Sequence, residues 1–295
     1  MFIVRLRGGL GNQLYEYAFC AFLKKFTDDV YVDGTEFKTF QCHDGLEVDK
    51  IFDIDLPYAS RKKIMELSNY IPIPVSGKVG IGLFELERIR ERWWCKKHRK
   101  KTHVKEKDLL VHDMDHVTDF LNRNKQEDLY FDGYWSDVRI LDLLDDGWID
   151  FRKEYVAQYS KYKEGIDFDK ACSIHVRKGD IAGTSIDVCG KPYYKKAIDH
   201  INSIRPDVEY IVFSDEIDTA RTIITEDLAP NIRFIDTTDE KTAGVDIYLM
   251  SLCRDNIIVN SSYSYWGSRL NGHKDKCVII PEQYSKMRYD ASVVI

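Results

Sequence analysis

Three short clusters in the second half of the chain combine residue types that bind phosphates and nucleosides. The first is His175, Arg177, Lys178, Gly179 and Asp180, which closes the apolar alternating run 171–176. Two adjacent cations suit an anionic ligand, and an arginine fork holds two phosphate oxygens at once. The second is Ser214, Asp215 and Glu216, after the apolar run 208–213. A carboxylate in that position accepts two N–H groups of a guanine edge or two ribose hydroxyls. The third is Asn260, Ser261, Ser262, Tyr263 and Ser264, where a helix is expected to begin. Small hydroxyl residues at a helix N-terminus leave backbone N–H groups open to an anion. Singly, each cluster also reads as a turn or a cap. In this order the trio points to a nucleoside-diphosphate ligand.

The elements needed to position them follow from the apolar pattern. Strands at 171–176, 208–213, 232–235, 256–260 and 277–280 alternate with helices at 193–204, 216–228, 240–253 and 263–270. That alternation demands a parallel sheet with helices on its faces. Ligands of such sheets bind outside the carboxyl ends of the strands, where all three clusters fall. The first half opens as strand 1–7, a turn at Gly8, Gly9 and Gly11, helix 12–26 and strand 29–33. Further helices are expected at 60–68 with Ser60 as cap, at 84–92, and at 137–144 with Ser136 as cap; 128–135 reads as a strand. The connector 145–169 divides the 295 residues into α/β domains 1–160 and 161–295.

A net charge of −6 argues against a general nucleic-acid binder, which needs a basic face. The seven cysteines are scattered and form no C-x-x-C pair, the usage of a reducing compartment without a disulfide framework. The apolar run at the N-terminus is broken by Arg5 and Arg7, and no run reaches the length of a membrane span. A cytosolic protein is expected. One charge run stands out: Trp93 and Trp94, then Lys96, Lys97, Arg99, Lys100, Lys101 and Lys105. The stretch 93–105 reads either as a patch for anionic headgroups at the inner membrane face or as a solvated helix face. Asp53–Asp55 and Asp113–Asp115 are D-x-D pairs, the second after the apolar 109–111, and His112 and His116 stand four apart. Such short patterns recur by chance in an Asp-rich chain, and no metal is expected. The loop Gly8-Gly9-Leu10-Gly11 is no dinucleotide fingerprint, since Leu14 stands where the third glycine belongs.

The segment HVRKGD, residues 175–180, resembles the His-x-Arg-Arg-x-Asp motif of the α-1,2- and α-1,6-fucosyltransferases and protein O-fucosyltransferases. YIVFSDE (210–216) resembles their second motif, and NSSYSYWGS (260–268) the third as found in bacterial α-1,2-fucosyltransferases. GGLGNQLYEYAF (8–19) is similar to the opening of the same group. In these four segments the chain resembles glycosyltransferase family 11. The resemblance implies an α/β, GT-B-type fold: two Rossmann-like domains facing across a cleft, the first on the acceptor side and the second binding GDP-fucose. It implies metal-independent, inverting transfer of L-fucose from GDP-β-L-fucose to the 2-hydroxyl of a galactose-terminated oligosaccharide, lipid-linked or free, with no cofactor beyond the donor.

By position, the resemblance gives Arg177 the donor pyrophosphate and gives His175, with Asp215 or Glu216, the guanine. It gives Ser262, Tyr263 and Ser264 the phosphate and fucose, and has Asn12 reach the donor from the other domain. Ser214 belongs to the second motif. Lys178 stands where the family commonly has a second arginine; it keeps the charge and loses the fork. Asp180 is a candidate base for the acceptor hydroxyl, or an orienter of Arg177. Two other readings stay open: a metal-dependent sugar-nucleotide transferase, and a sugar-nucleotide or glycan-binding protein without catalysis.

Overall fold

A computed structural model describes residues 1–295 apart from 40–44, 56, 74–76, 94–97, 111, 180–181, 186, 230, 238–239, 241–243, 288 and 290. The chain forms two compact units, Met1–Asp150 and Phe151–Ile295.

In the first unit the order is β1 (Phe2–Arg5), α1 (Leu10–Leu23), β2 (Val30–Asp33), α2 (Val48–Ile51), α3 (Arg61–Leu67) and α4 (Gly77–Trp93). There follow β3 (His103–Lys105), α5 (Glu106–Leu109), α6 (Met114–Asn124), β4 (Leu129–Asp132) and α7 (Val138–Leu141). The four strands are all parallel, in the order β2-β1-β4-β3. β1 is buried at every position, as an inner strand covered on both faces must be.

The turn into α1 rests on two residues, Gly8 and Gln13. Gly8 has φ +75°, and a Cβ there would stand 2.6 Å from the Asn12 side-chain nitrogen. Glycine alone supplies both the dihedral and the space. Gln13 is fully buried and its amide is saturated: Nε2 donates to the Gly8 and Gly45 carbonyls, and Oε1 accepts from the Glu47 and Val48 N–H groups. It ties the loop before α2 to the start of α1.

Several expectations shift here. Ser60 caps α3 as foreseen, accepting from Lys63 N. α7, however, is capped by Asp137, whose Oδ1 accepts from Arg139 N at 3.0 Å, and not by Ser136. The expected strand 128–135 stops at Asp132 because the chain then turns sharply. Trp135 takes φ +55°, a strained conformation for a bulky residue, and stacks flat on Phe19 with ring centroids 3.9 Å apart. Gly133 is needed beside it, since a Cβ there would overlap the Glu106 side chain.

In the second unit the order is α8 (Lys153–Gln158), β5 (Ala171–Val176), α9 (Lys191–Ile204), β6 (Glu209–Ser214), α10 (Ile217–Ile223) and β7 (Ile232–Phe234). Then come α11 (Gly244–Leu252), β8 (Asp255–Ile257), α12 (Ser262–Arg269), β9 (Val278–Ile280) and β10 (Ser292–Val294). All six strands are parallel, ordered β10-β9-β8-β5-β6-β7. β5 is buried over all six residues. This unit begins ten residues before the expected division at 160/161. The connector packs onto the α11 side: Phe151 meets Tyr248 edge-on at 5.1 Å, and Lys161 and Tyr162 both donate to Glu240 at 2.8 Å. α12 lies tight on α11, because Gly267 leaves no more than 2.7 Å between a would-be Cβ and Met250 Cβ. Cys20, Cys172, Cys189, Cys253 and Cys277 are free and buried; Cys42 and Cys95 lie outside the described residues.

Candidate active site

The sheet order brings the three polar clusters of the second unit together. β5 lies between β8 and β6, so the segments leaving their carboxyl ends are neighbours. Register aligns Val176 with Ser214 and Ile174 with Ile257. Arg177 follows β5 directly; it is half-buried, and its Nη1 reaches the Asn260 carbonyl at 3.5 Å, on the segment leading into α12. His175 is buried, 4% exposed, with its ring 5.6 Å from that of Tyr263. Its Nδ1 has no hydrogen-bond partner among the described residues. Burial, helped by the Arg177 charge, pushes the His175 imidazole down to about 3. It is therefore neutral, with a polar nitrogen left over in the core.

Asp215 does something the sequence did not suggest. Its two carboxylate oxygens accept from the backbone N–H groups of Lys178 and Gly179, at 2.9 and 3.0 Å. A Cβ on Gly179 would stand 2.9 Å from one of those oxygens, so the glycine leaves the carboxylate room for the clasp. The exposed carboxylate of Asp215 thus holds the turn that carries Arg177. On the donor assignment that the sequence resemblance implies, Asp215→Ala is expected to lower GDP affinity about tenfold by releasing that turn, with a nearly unchanged melting temperature. Calorimetric titration with GDP measures the loss, and equal affinity in the variant would remove the clasp from the site.

Lys178 also turns inward. Its Nζ pairs with Asp187 and donates to the Cys189 carbonyl at 3.3 Å. The ion pair lowers the Asp187 carboxyl below its ordinary range. Ser214 is buried and its Oγ accepts from Glu216 N at 3.0 Å, while the Glu216 side chain is exposed. At the third cluster Ser261 caps α12 by accepting from Tyr263 N. Ser264 is buried, accepting from Val259 N at 3.3 Å. Ser262 and Tyr263 are partly exposed at the first turn, where helix N–H groups lack intrahelical acceptors. Asp180 lies outside the described residues. Asn12 belongs to the first unit, in the first turn of α1.

Two polar features of these units were not anticipated. In the second unit Asp246, in the first turn of α11, is buried, accepts from Thr237 Oγ1 at 2.7 Å, and is pushed up to about 7 by burial. In the first unit the carboxyl ends of β1, β3 and β4 share a charge network. Asp132 meets Arg5 at 3.3 Å, Arg7 and Lys105 at 3.5 Å and His103 Nε2 at 3.3 Å. His103 Nδ1 accepts from Asn69 N, which puts the ring proton on Nε2, facing Asp132. Arg5 also pairs with Glu36 at 3.0 Å and lies 4.0 Å over the Tyr70 ring. The signal was present as single charged residues closing apolar runs.

The D-x-D pattern at 113–115 has a local role: Asp113 caps α6, accepting from His116 N at 2.8 Å. The His112 and His116 rings lie 4.0 Å apart. Among the described residues, no three His, Cys, Asp or Glu side chains are grouped to share a metal ion.

Comparison with known proteins adds an independent line. The family model for glycosyl transferase family 11 matches residues 86–292. An O-antigen biosynthesis glycosyltransferase of Escherichia coli, WbnK, is 35% identical over 117 residues, an alignment that spans 38% of this chain and 38% of that relative. An alpha-1,2-colitosyltransferase of Escherichia coli is 23% identical over 95% of this chain and 90% of that one. Among solved structures, POFUT1 in complex with GDP superposes with TM-score 0.54 at 14% identity, covering 95% of this chain and 98% of that one. That likeness concerns the fold, and with the two parallel α/β units it makes the architecture GT-B-like.

Proposed function

Because the chain belongs to glycosyltransferase family 11, we propose that it transfers L-fucose from GDP-β-L-fucose, with inversion and without a metal or other cofactor, to the 2-hydroxyl of a galactose-terminated oligosaccharide. The observation that carries this reading is the convergence of Arg177, the first turn of α12 and the Asp215-held turn at one edge of the second sheet. The second unit is assigned the donor and the first the acceptor.

In this mechanism the acceptor oxygen attacks the fucose anomeric carbon from the face opposite GDP. The C1–O electron pair departs onto the diphosphate. Negative charge there grows as the bond breaks, so cations and N–H groups fixed beforehand stabilise the transition state more than the bound donor. Arg177 supplies the cation, and the first turn of α12, with Ser262 and Tyr263, supplies N–H and hydroxyl donors, while buried Ser264 holds that turn by donating to the Ser261 carbonyl at 3.4 Å. Neutral His175 offers its unpaired Nδ1 as an acceptor toward the purine, and Glu216 is assigned a contact with the same base. Lys178 acts from behind by fixing the loop through Asp187. Asn12 is assigned a contact with the donor, and Asp180 the proton of the attacking hydroxyl.

The test is an assay of GDP-fucose against a panel of galactose-terminated oligosaccharides, with the product linkage read by NMR. GDP-colitose joins the donor panel because one relative is named for colitosyl transfer. A product linked α-1,2, formed at the same rate with excess EDTA, is expected. Hydrolysis of the donor without transfer to any acceptor, or activity abolished by EDTA, overturns the proposal.

A further inference from the structure

Helix α4 has two apolar faces. One is anchored in the first unit. Phe84 packs in a core cluster with Ile64, Leu67 and Tyr70. Buried Glu87 accepts from Ile71 N at 2.8 Å and pairs with Arg90. The other face meets solvent. Val79, Leu83, Leu86, Ile89 and Trp93 are exposed by 70, 40, 63, 55 and 76%. At 3.6 residues per turn these five side chains fall within an arc of about 120°. A continuous apolar stripe of this kind marks an interaction surface.

The charge of this segment is opposite to that of the whole. Residues 77–101 hold nine Lys or Arg and three acidic residues, in a chain of net charge −6. The three acids are engaged: Glu87 as above, Glu91 with Arg5 at 3.5 Å, and Glu85 with Arg88 at 2.9 Å. Lys78 and Arg92 are exposed on the same helix.

We propose that α4 docks the protein on an anionic lipid surface. The Val79-to-Trp93 stripe sinks to the boundary between headgroups and acyl chains, and exposed Lys78 and Arg92 beside it face lipid phosphates. Charge favours this occupant over a second copy, since two basic stripes repel while an anionic bilayer attracts. The apolar part of the contact belongs to α4, and part of the basic run that follows it is already engaged. In that run Arg99 pairs with Asp108, Lys100 donates to the Met65 and Glu66 carbonyls, and Lys105 lies 3.5 Å from Asp132. Among the described residues no helix is long and apolar enough to cross a membrane, so this is contact with the surface.

Co-sedimentation with vesicles tests it, using phosphatidylcholine alone and phosphatidylcholine mixed with phosphatidylglycerol. The wild-type chain is expected to partition at least about tenfold better onto the anionic vesicles. The double variant Leu86→Glu, Ile89→Glu is expected to lose about a hundredfold in partition, with unchanged melting temperature and unchanged transfer to a soluble acceptor. Val79→Ser gives a milder version should the double variant melt early. A wild-type chain that stays in the supernatant, or variants that bind as well as it does, overturns the proposal. So does self-association, seen by analytical ultracentrifugation, that the stripe variants abolish. Vesicle binding needs neither donor nor acceptor, so its failure leaves the transferase proposal untouched.

Discussion

Replacement of Arg177 by alanine is expected to slow fucosyl transfer by about a hundredfold or more while the protein keeps its melting temperature. The side chain stands at the end of a fully buried strand, half-buried itself, with Nη1 near the Asn260 carbonyl. Substitutions at partly exposed positions usually cost little, so stability has little to lose. The turn around it is held independently, by Asp215 on the Lys178 and Gly179 N–H groups and by Asp187 on Lys178. Loss of the guanidinium therefore subtracts a charge from the site without collapsing it. Arg177→Lys separates charge from geometry: it keeps the cation and loses the two-pronged fork, so its rate should fall between those of alanine and wild type. Steady-state kinetics with GDP-fucose, together with calorimetric titration of GDP, read both effects. Near-normal turnover in Arg177→Ala would remove this residue from the leaving-group role.

A comparably large effect on stability is expected from Arg5→Met in the other unit. Arg5 is 3% exposed and faces Glu36, Glu91 and Asp132. Burial alone would raise the Asp132 carboxyl. The hydrogen bond from His103 and the charges of Arg5 and Arg7 outweigh it and hold Asp132 well below the usual carboxylate range. Removing one partner of a buried pair leaves uncompensated charge, at a cost of about 3–5 kcal/mol. The sign with pH distinguishes this from lost packing. A carboxyl with a depressed folded pKa contributes stability that is present above its unfolded value and is lost as pH falls. Without Arg5, burial drives Glu36 and Asp132 upward, so the folded variant takes up protons more readily. The deficit of the variant relative to wild type should be greatest near pH 7 and shrink toward pH 5. Urea unfolding at both pH values measures it; a deficit independent of pH would assign the loss to packing.

Much of the second unit was legible in the chain. The run 171–176, the YIVFS strand and the Asn-Ser-Ser segment announce themselves by apolar alternation ending in charge or hydroxyls, and the fold places their ends side by side. Less legible was what each polar group does once there. Asp215 reads as a ligand contact when only its position at a strand end is known. The register of β5 against β6 is what sets it beside the backbone of 178–179. Lys178 reads as a phosphate cation until the loop returns Asp187 to it. The first unit was harder. β3 lies within the basic stretch, and its strand character comes from pairing with β4 and from the burial of His103, not from an apolar alternation. The cap of α7 fell one residue beyond the expected serine because Asp137, with its longer acceptor, stands next to it.

The strand order of the first sheet also sets a timetable for synthesis. β1 and β2 can pair as soon as both leave the ribosome, but the partner on the other side of β1 is β4, at residues 129–132. β3 emerges earlier than β4 and has nothing to lie against until β4 arrives. For roughly a hundred residues of elongation, at a few residues per second or more, the nascent sheet keeps an unpaired edge, the condition that invites wrong partners. Burying the charge network of Arg5 and Asp132 waits for the same strand. Translation that pauses before residue 129 would prolong the exposure of that edge, and translation that runs past it would end it.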